Sequence, residues 1–333
     1  MVVMTPESGD RITRGAIASC SYEARKFGVR SGMSFSKAKE LCPDAVFVRT
    51  NFELYEKVSS QVMDVLKDFA DILEPASIDE AYLDSTAKAQ SYASPQEFGG
   101  AIKDAVKDKV GLKCSVGIAP TKSCAKIASD YIKPDGLTVV MPEDLKKFLE
   151  PLKVSRVAGI GPKTEAGLKE LGIHTLGQLA ETPLYKLVDK FGKVGLWMWK
   201  VASGTDDEPV NPRNEYKSIS TEHTLDEETS DAEKIRQNIL PMIPELYARI
   251  NELGLFYRTV AVKFVYRGFK TVTRDHSFRD YRSDYRSIEE TVEQLLNRFD
   301  YGTPVRKVGL RLSTLNRIDG KQRRIEDWFE QVV

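Results

Sequence analysis

Two carboxylates stand side by side at Asp79 and Glu80, inside the run Ser77-Ile78-Asp79-Glu80-Ala81-Tyr82-Leu83-Asp84. Apolar residues flank them, Ile72 and Leu73 before, Ala81, Tyr82 and Leu83 after, and Pro75 breaks the chain just upstream. The pattern predicts a β-hairpin whose second strand starts near Ile78. On a regular strand the two acids would point to opposite faces; beside a turn the backbone can bring both to one side. Carboxylates held together repel unless a cation lies between them, and Mg²⁺ takes oxygen ligands of this kind. A solvated acidic turn is the plain alternative. Lys122, Lys126 and Lys133 cluster around loop ends further on, which suits an anionic ligand near the carboxylates and a metal. Arg25 and Lys26 beside Tyr22 can hold a phosphate and a ring, or simply form helix surface.

The elements that must position these groups follow from periodicity. Small residues crowd 15–32, which lets a ligand or a second backbone approach closely. Short helices are expected at Tyr22–Phe27 and Ser34–Leu41, after a strand at Ile17–Ser19. Leu54, Val58, Val62, Val65, Leu66 and Phe69 recur at three and four, predicting an amphipathic helix over 52–70. A helix at 95–110, a strand at Cys114–Ile118, a helix at Ser123–Tyr131 and a strand at Leu137–Met141 complete an α+β layout, with helices on a small mixed or antiparallel sheet. Residues 142–204 read as all-helical. Within them Gly159-Ile160-Gly161-Pro162-Lys163 is a Gly-x-Gly turn ahead of a helix from Thr164 to Leu171. Its bared N–H groups, at Gly159, Gly161 and Lys163, can take a phosphate; a plain turn is the alternative. A looser copy lies at Phe191–Gly195, and Trp197 and Trp199 are expected in the core. Residues 205–217 are polar with two prolines and read as an extended linker.

Residues 218–318 form a second α+β unit: strand, helix, two strands, helix, strand. Pro241 and Pro244 should kink the helix over 231–253 or delay its start. Strand Thr259–Arg267 turns Lys263 and Arg267 to one face, and strand Val305–Ser313 turns Lys307, Gly309 and Arg311 out. Seven Lys/Arg against two Asp between 258 and 282 predict a basic exposed sheet face, the footprint of phosphate binding, with a merely solvated face as the alternative. In the tail, Ile325, Trp328 and Phe329 fall at i, i+3, i+4, a spacing that makes one helical turn into an apolar plug for a partner pocket.

Composition bounds the classes. The 333 residues are 41% hydrophobic and 29% charged, ordinary for a globular protein of two or three domains. Forty-nine basic residues balance forty-nine acidic ones, so the chain is no uniformly basic binder, though a locally basic face is compatible. Four cysteines lack CxxC spacing and three histidines lack metal-ligand spacing, which disfavours zinc sites and points to a reducing, cytoplasmic setting. No apolar run reaches about 18 residues, and the N-terminus is no signal peptide. A monomer without membrane contact is expected.

In the order SYEARKFGVRSGM, ASIDEAYLD, SVGIAPTKSCAKIASDYIKPDG and VAGIGPKTEAGLKELGI, the chain resembles the Y-family, lesion-bypass DNA polymerases of the DNA polymerase IV branch, archaeal type, from about residue 2 to about 318. The resemblance implies a multidomain α+β polymerase right hand. Its fingers would span 1–51, its palm 52–141, its helix-hairpin-helix thumb 142–204, the linker 205–217, a C-terminal little finger 218–318 and a tail 319–333. It implies low-fidelity, template-directed DNA synthesis across lesions by two-metal nucleotidyl transfer. Asp79 and Glu80 would be catalytic and would ligate two Mg²⁺ ions. Ser19, Tyr22, Arg25 and Lys133 would hold the incoming dNTP. Arg306, Lys307 and Arg311, with the basic face of Lys263 and Arg267, would hold primer-template DNA. The tail QRRIEDWF is similar to a sliding-clamp-binding box, with Gln322, Ile325, Trp328 and Phe329 at the box positions. The family's first strand, which carries another metal-binding Asp and a steric gate, is expected to be missing here. A non-catalytic DNA- and clamp-binding protein is the rival reading that this departure raises.

Overall fold

The computed structural model describes residues 2–6, 15–212 and 216–317. Among these, two compact units form: one takes the residues up to Arg49 and those from Tyr216 on, the other Thr50–Pro212.

In the first unit, strands β1 (Val2–Pro6), β2 (Gly15–Cys20) and β3 (Phe47–Arg49) make a sheet of order β2-β1-β3, antiparallel then parallel. Helices α1 (Tyr22–Lys26) and α2 (Phe35–Leu41) start at Ser21 and Ser34, whose hydroxyls accept N–H bonds from Ala24 and Lys37. A small core of Ile17, Cys20, Ala24, Val29 and Ala38 holds this segment.

The second unit begins with α3 (Phe52–Lys67). Its apolar stripe is there, but only Val65 is fully buried and Leu54 is exposed. The hairpin follows as β4 (Ile72–Pro75) and β5 (Ala81–Asp84), paired Ile72 to Asp84 through Pro75 to Ala81. The second strand thus starts at Ala81, not near Ile78, because the Glu80 carbonyl already accepts the N–H groups of Ala76 and Ser77 at 2.8 and 3.1 Å and closes the loop. Next come α4 (Pro95–Val110), β6 (Val116–Ile118), α5 (Lys122–Tyr131) and β7 (Leu137–Val139), with β6 and β7 parallel. The expected single sheet is therefore two separate ladders among the described residues, β4–β5 and β6–β7.

The helical stretch holds α6 (Leu145–Leu149), α7 (Pro162–Glu170), α8 (Leu176–Glu181), α9 (Leu184–Phe191) and α10 (Lys193–Ala202). Its core of Leu149, Leu168, Leu176, Leu179, Leu187 and Met198 is continuous with Cys124, Ile127 and Ala128 of α5. Trp197 and Trp199 pack against that core, and the Trp199 indole N–H donates to the Ala180 carbonyl at 3.1 Å.

From Ser218 on, β8 (Ser218–Thr229), β9 (Tyr257–Tyr266), β10 (Thr271–Arg282) and β11 (Val305–Ser313) form an antiparallel sheet of order β10-β9-β11-β8. One face is covered by α11 (Ala232–Ile239), α12 (Met242–Glu252) and α13 (Tyr285–Leu296) over a core that includes Ile239, Leu246, Phe264, Val292 and Leu310. The helix expected over 231–253 is two helices that meet at Leu240 and Pro241, as the missing proline N–H requires. No helix among the described residues is long and apolar enough to cross a membrane.

Candidate active site

The hairpin end carries the chemistry. Asp79 lies in the loop Ala76–Glu80 and is exposed; Glu80 is half-buried. Ser77 fixes Asp79 locally: its Oγ donates to Asp79 Oδ1 at 2.6 Å and accepts the Asp79 N–H at 3.3 Å. Glu80 is held from the side by Lys126 of α5, whose Nζ also pairs with Asp130 at 3.2 Å. Lys133 Nζ meets the other oxygen of Asp130 at 2.5 Å. Burial would raise the Asp130 carboxyl, but its bonds to Lys133 and Lys126 outweigh that and hold it below the usual carboxylate range.

Beneath the loop lies a second, buried pair that the sequence reading passed over. Glu74 of β4 is 1% exposed, and Lys122 Nζ donates to both its oxygens at 2.9 and 2.7 Å. The Asn211 N–H donates to Glu74 Oε2 at 2.9 Å, Glu208 reaches Lys122 at 3.2 Å, and Asp206 accepts the Ser123 N–H at 3.3 Å. The polar stretch read as an extended linker is thus fastened, over 206–211, to β4 and the start of α5. The Lys122 ammonium also sits 4.8 Å from the centre of the Tyr82 ring, whose hydroxyl is pushed up chiefly by burial. A signal for Glu74 was present: an acid that alternates with Leu73 inside a strand must find a cation or leave the interior.

Lys122, Lys126 and Lys133 each have a carboxylate partner within the protein.

Of the residues expected to hold a nucleotide, Ser19, Tyr22 and Arg25 belong to the first unit and Lys133 to the second. Tyr22 and Arg25 do come together: the guanidinium lies 5.8 Å from the ring centre, and Arg25 Nε donates to the Cys20 carbonyl at 3.3 Å. Ser19 is exposed on β2.

At the Gly-x-Gly turn, a single 3₁₀ turn, Val154–Arg156, precedes the loop, not a full helix. Gly159 has φ +103° and a Cβ there would come within 3.0 Å of the Trp197 ring, so the position takes glycine for both reasons. Gly161 caps α7 without a side-chain bond, which leaves the first N–H groups of the helix, Lys163 among them, without a capping side chain.

On the C-terminal sheet, register places Lys263, Arg311 and Lys307 on the face away from the helices, beside Glu222. Lys263 and Lys307 both reach Glu222, at 2.6 and 3.1 Å; Arg267 and Arg306 both reach Glu228, at 2.5 and 3.6 Å. Arg274 and Arg282 turn the other way, over the rings of Phe299 and Phe278. The basic face counted from 258–282 is thus partly neutralised, because Glu222 and Glu228 come from β8, outside that window. The clamp-box residues Gln322, Ile325, Trp328 and Phe329 lie outside the described residues.

Among the described residues no three potential metal ligands gather, and Asp79 and Glu80 are two neighbouring carboxylates. Mg²⁺ is often bound through one or two carboxylates, with water and substrate phosphates filling its shell, so two adjacent hard oxygen donors fit it.

Residues 1–130 match the impB/mucB/samB family, 142–173 the IMS family HHH motif and 216–325 the C-terminal domain of the impB/mucB/samB family. A relative called DNA polymerase IV from Methanoculleus marisnigri is 40% identical over 316 residues, covering 95% of this chain and 88% of its own. A solved Y-family DNA polymerase chimera of Dbh and Dpo4 is similar at TM-score 0.80 and 32% identity, covering 94% of this chain and 91% of its own. An insertion ternary complex of Dbh DNA polymerase is similar at TM-score 0.66 and 32% identity, over 94% and 90%.

Proposed function

This chain belongs to the Y family of DNA polymerases, the impB/mucB/samB family, and we propose how its own residues serve that family's reaction. It is a DNA-directed DNA polymerase of the DNA polymerase IV kind, a translesion enzyme acting on primer-template DNA and dNTP. The non-catalytic alternative is not favoured.

The assignment of parts is ours: fingers to residue 51, palm 52–141, thumb 142–204, linker 205–217, little finger 218–318 and a clamp-binding tail. Enzymes of this family depend on a divalent metal. Asp79 and Glu80 would hold it, as two Mg²⁺ ions, and the bound metal would supply Lewis-acid stabilisation of charge on the transferring phosphoryl group. Ser77 keeps the Asp79 carboxylate in one orientation, and Lys126 does the same for Glu80. Arg25 and Lys133 neutralise triphosphate charge, Tyr22 and Ser19 offer hydroxyls to it, and the rate comes from positioning rather than from covalent steps. The Gly159–Gly161 loop and the cationic sheet face hold DNA by its phosphates, without reading bases. The monomeric state, the cytoplasmic setting and a sliding clamp on Gln322, Ile325, Trp328 and Phe329 belong to the same proposal, the last supported by the spacing of the apolar side chains.

The observation that carries the site is the exposed Asp79 next to Glu80 at one hairpin end, each restrained by its own partner. Primer extension with Mg²⁺ tests it. Asp79→Asn and Glu80→Gln should each lower the rate by roughly a thousandfold, the equivalent of several kcal/mol of lost charge stabilisation, with the circular dichroism unchanged. Extension by Asp79→Asn at the parent rate would overturn the assignment.

A further inference from the structure

Four cations on and beside the open sheet face share two acids. Glu222 puts Oε1 on Lys263 of β9 and Oε2 on Lys307 of β11; Glu228 puts Oε2 on Arg267 and Oε1 on Arg306. Each carboxylate thus spends one oxygen on each of two cations. A second feature shows that the first arrangement is built in. Gly309, in the strand between Glu222 and Lys263, is paired in register with both. A Cβ at Gly309 would come within 2.9 Å of Glu222 Cγ. Glycine weakens a strand interior, and here its bare surface is what lets the Glu222 side chain cross β11 and reach Lys263 two strands away. Burial alone would raise the Glu222 carboxyl, yet its bonds to Lys263 and Lys307 hold it below the usual range. Glu228 is lowered first by its bond to Arg267. Both are therefore charged at neutral pH. The ion pairs are part-exposed, with side-chain exposures from 27% to 65%, a setting in which such pairs add little to stability and exchange readily.

We propose that Glu222 and Glu228 are internal counter-ions that occupy these four cations in the free protein, so that DNA binding exchanges carboxylate for phosphate and is held weaker than the cations alone would make it. The inference rests on the reading that this face holds DNA. It has a thermodynamic signature. A cation freed from a carboxylate leaves that carboxylate to collect a salt ion of its own, so each glutamate cancels about one of the counter-ions that DNA releases. Arg311, exposed on the same face and without a carboxylate partner among the described residues, is the internal reference.

The experiment measures binding of a primer-template duplex to the full chain by fluorescence anisotropy across a salt series. Glu222→Gln with Glu228→Gln should tighten binding several-fold at low salt and steepen the plot of log affinity against log salt by about two. Arg311→Ala should weaken binding and flatten the slope by about one. If Arg311→Ala and Lys263→Ala both bind as the parent does, the reading of the face as a DNA surface fails. If those two weaken binding while the glutamine variant binds no tighter and keeps the parent slope, the counter-ion inference fails. Thermal melting of the glutamine variant should stay close to the parent's. Should the double variant not fold, Glu228→Gln alone, at the more exposed pair, should still tighten binding and steepen the slope by about one, and an unchanged slope there would overturn the inference.

Discussion

Glu74 and Lys122 meet where water is nearly absent, with side-chain exposures of 1% and 9%, and that burial sets what either is worth. Taking one partner away leaves a charge stranded in the interior, which costs about 3–5 kcal/mol, whereas replacing both by apolar groups can be nearly neutral. Lys122→Met should therefore lower the unfolding free energy by about 3–5 kcal/mol in urea titration, and Glu74→Leu combined with Lys122→Met should recover most of it. Equal losses in the single and double variants would show that the pair is not coupled as described. Asp79 and Glu80, one exposed and the other at the surface end of the same hairpin, carry no such penalty, which is how a site can keep acids whose use is chemistry rather than stability. The two carboxylates were readable from sequence because they are neighbours in the chain. Glu74 showed only its need for a cation, because its partners Lys122 and Asn211 are 48 and 137 residues away.

Strand β6 and helix α5 touch backbone to backbone, and a glycine permits it. A Cβ at Gly117 would lie 2.2 Å from the Ala125 carbonyl oxygen and 2.3 Å from the Ser129 nitrogen, both in the helix backbone. A flexible side chain could move aside; a helix cannot. Gly117→Ala should cost about 1–3 kcal/mol or more of stability, read from a urea midpoint. It should also slow primer extension at temperatures where the protein remains folded, because α5 carries Lys126 to Glu80. A variant with parent stability and parent rate would show that the two elements do not pack this closely. At this scale the sequence was legible where a local rule decides. The hairpin, the α4 helix and the alternation of β9 and β11 follow from periodicity, and the break at Pro241 follows from a missing donor. Boundaries that depend on a hydrogen bond, such as the start of β5 at Ala81, were not. Nor was the division of the central strands into two ladders, which depends on which strands lie beside each other rather than on any one strand's pattern.

Across the whole chain, equal numbers of acids and bases hide an uneven arrangement. The acids of β8 neutralise cations on and just beyond β9 and on β11, a pairing across about 40 to 85 residues that no count within a short window can register. The same arrangement fixes how the protein meets acid. Asp130 is held low by Lys133 and Lys126 against the opposing effect of burial, Glu222 by Lys263 and Lys307 against the same effect, Glu228 by Arg267, and Asp84 by Thr86. A carboxyl whose folded value lies below its unfolded value adds stability that is complete above the unfolded value, near 4 for Asp and Glu, and that disappears as pH falls through the folded value. The melting temperature should therefore change little between about pH 7 and 5 and fall below about pH 4, and high salt should shrink that fall because these pairs are part-exposed. Melting curves at pH 7, 5 and 3.5, each at low and high salt, check both parts. A fall concentrated between pH 7 and 5 would mean that groups with raised values govern the acid response. A fall below pH 4 of the same size in both salts would place the responsible carboxylates in buried pairs and not on the sheet face.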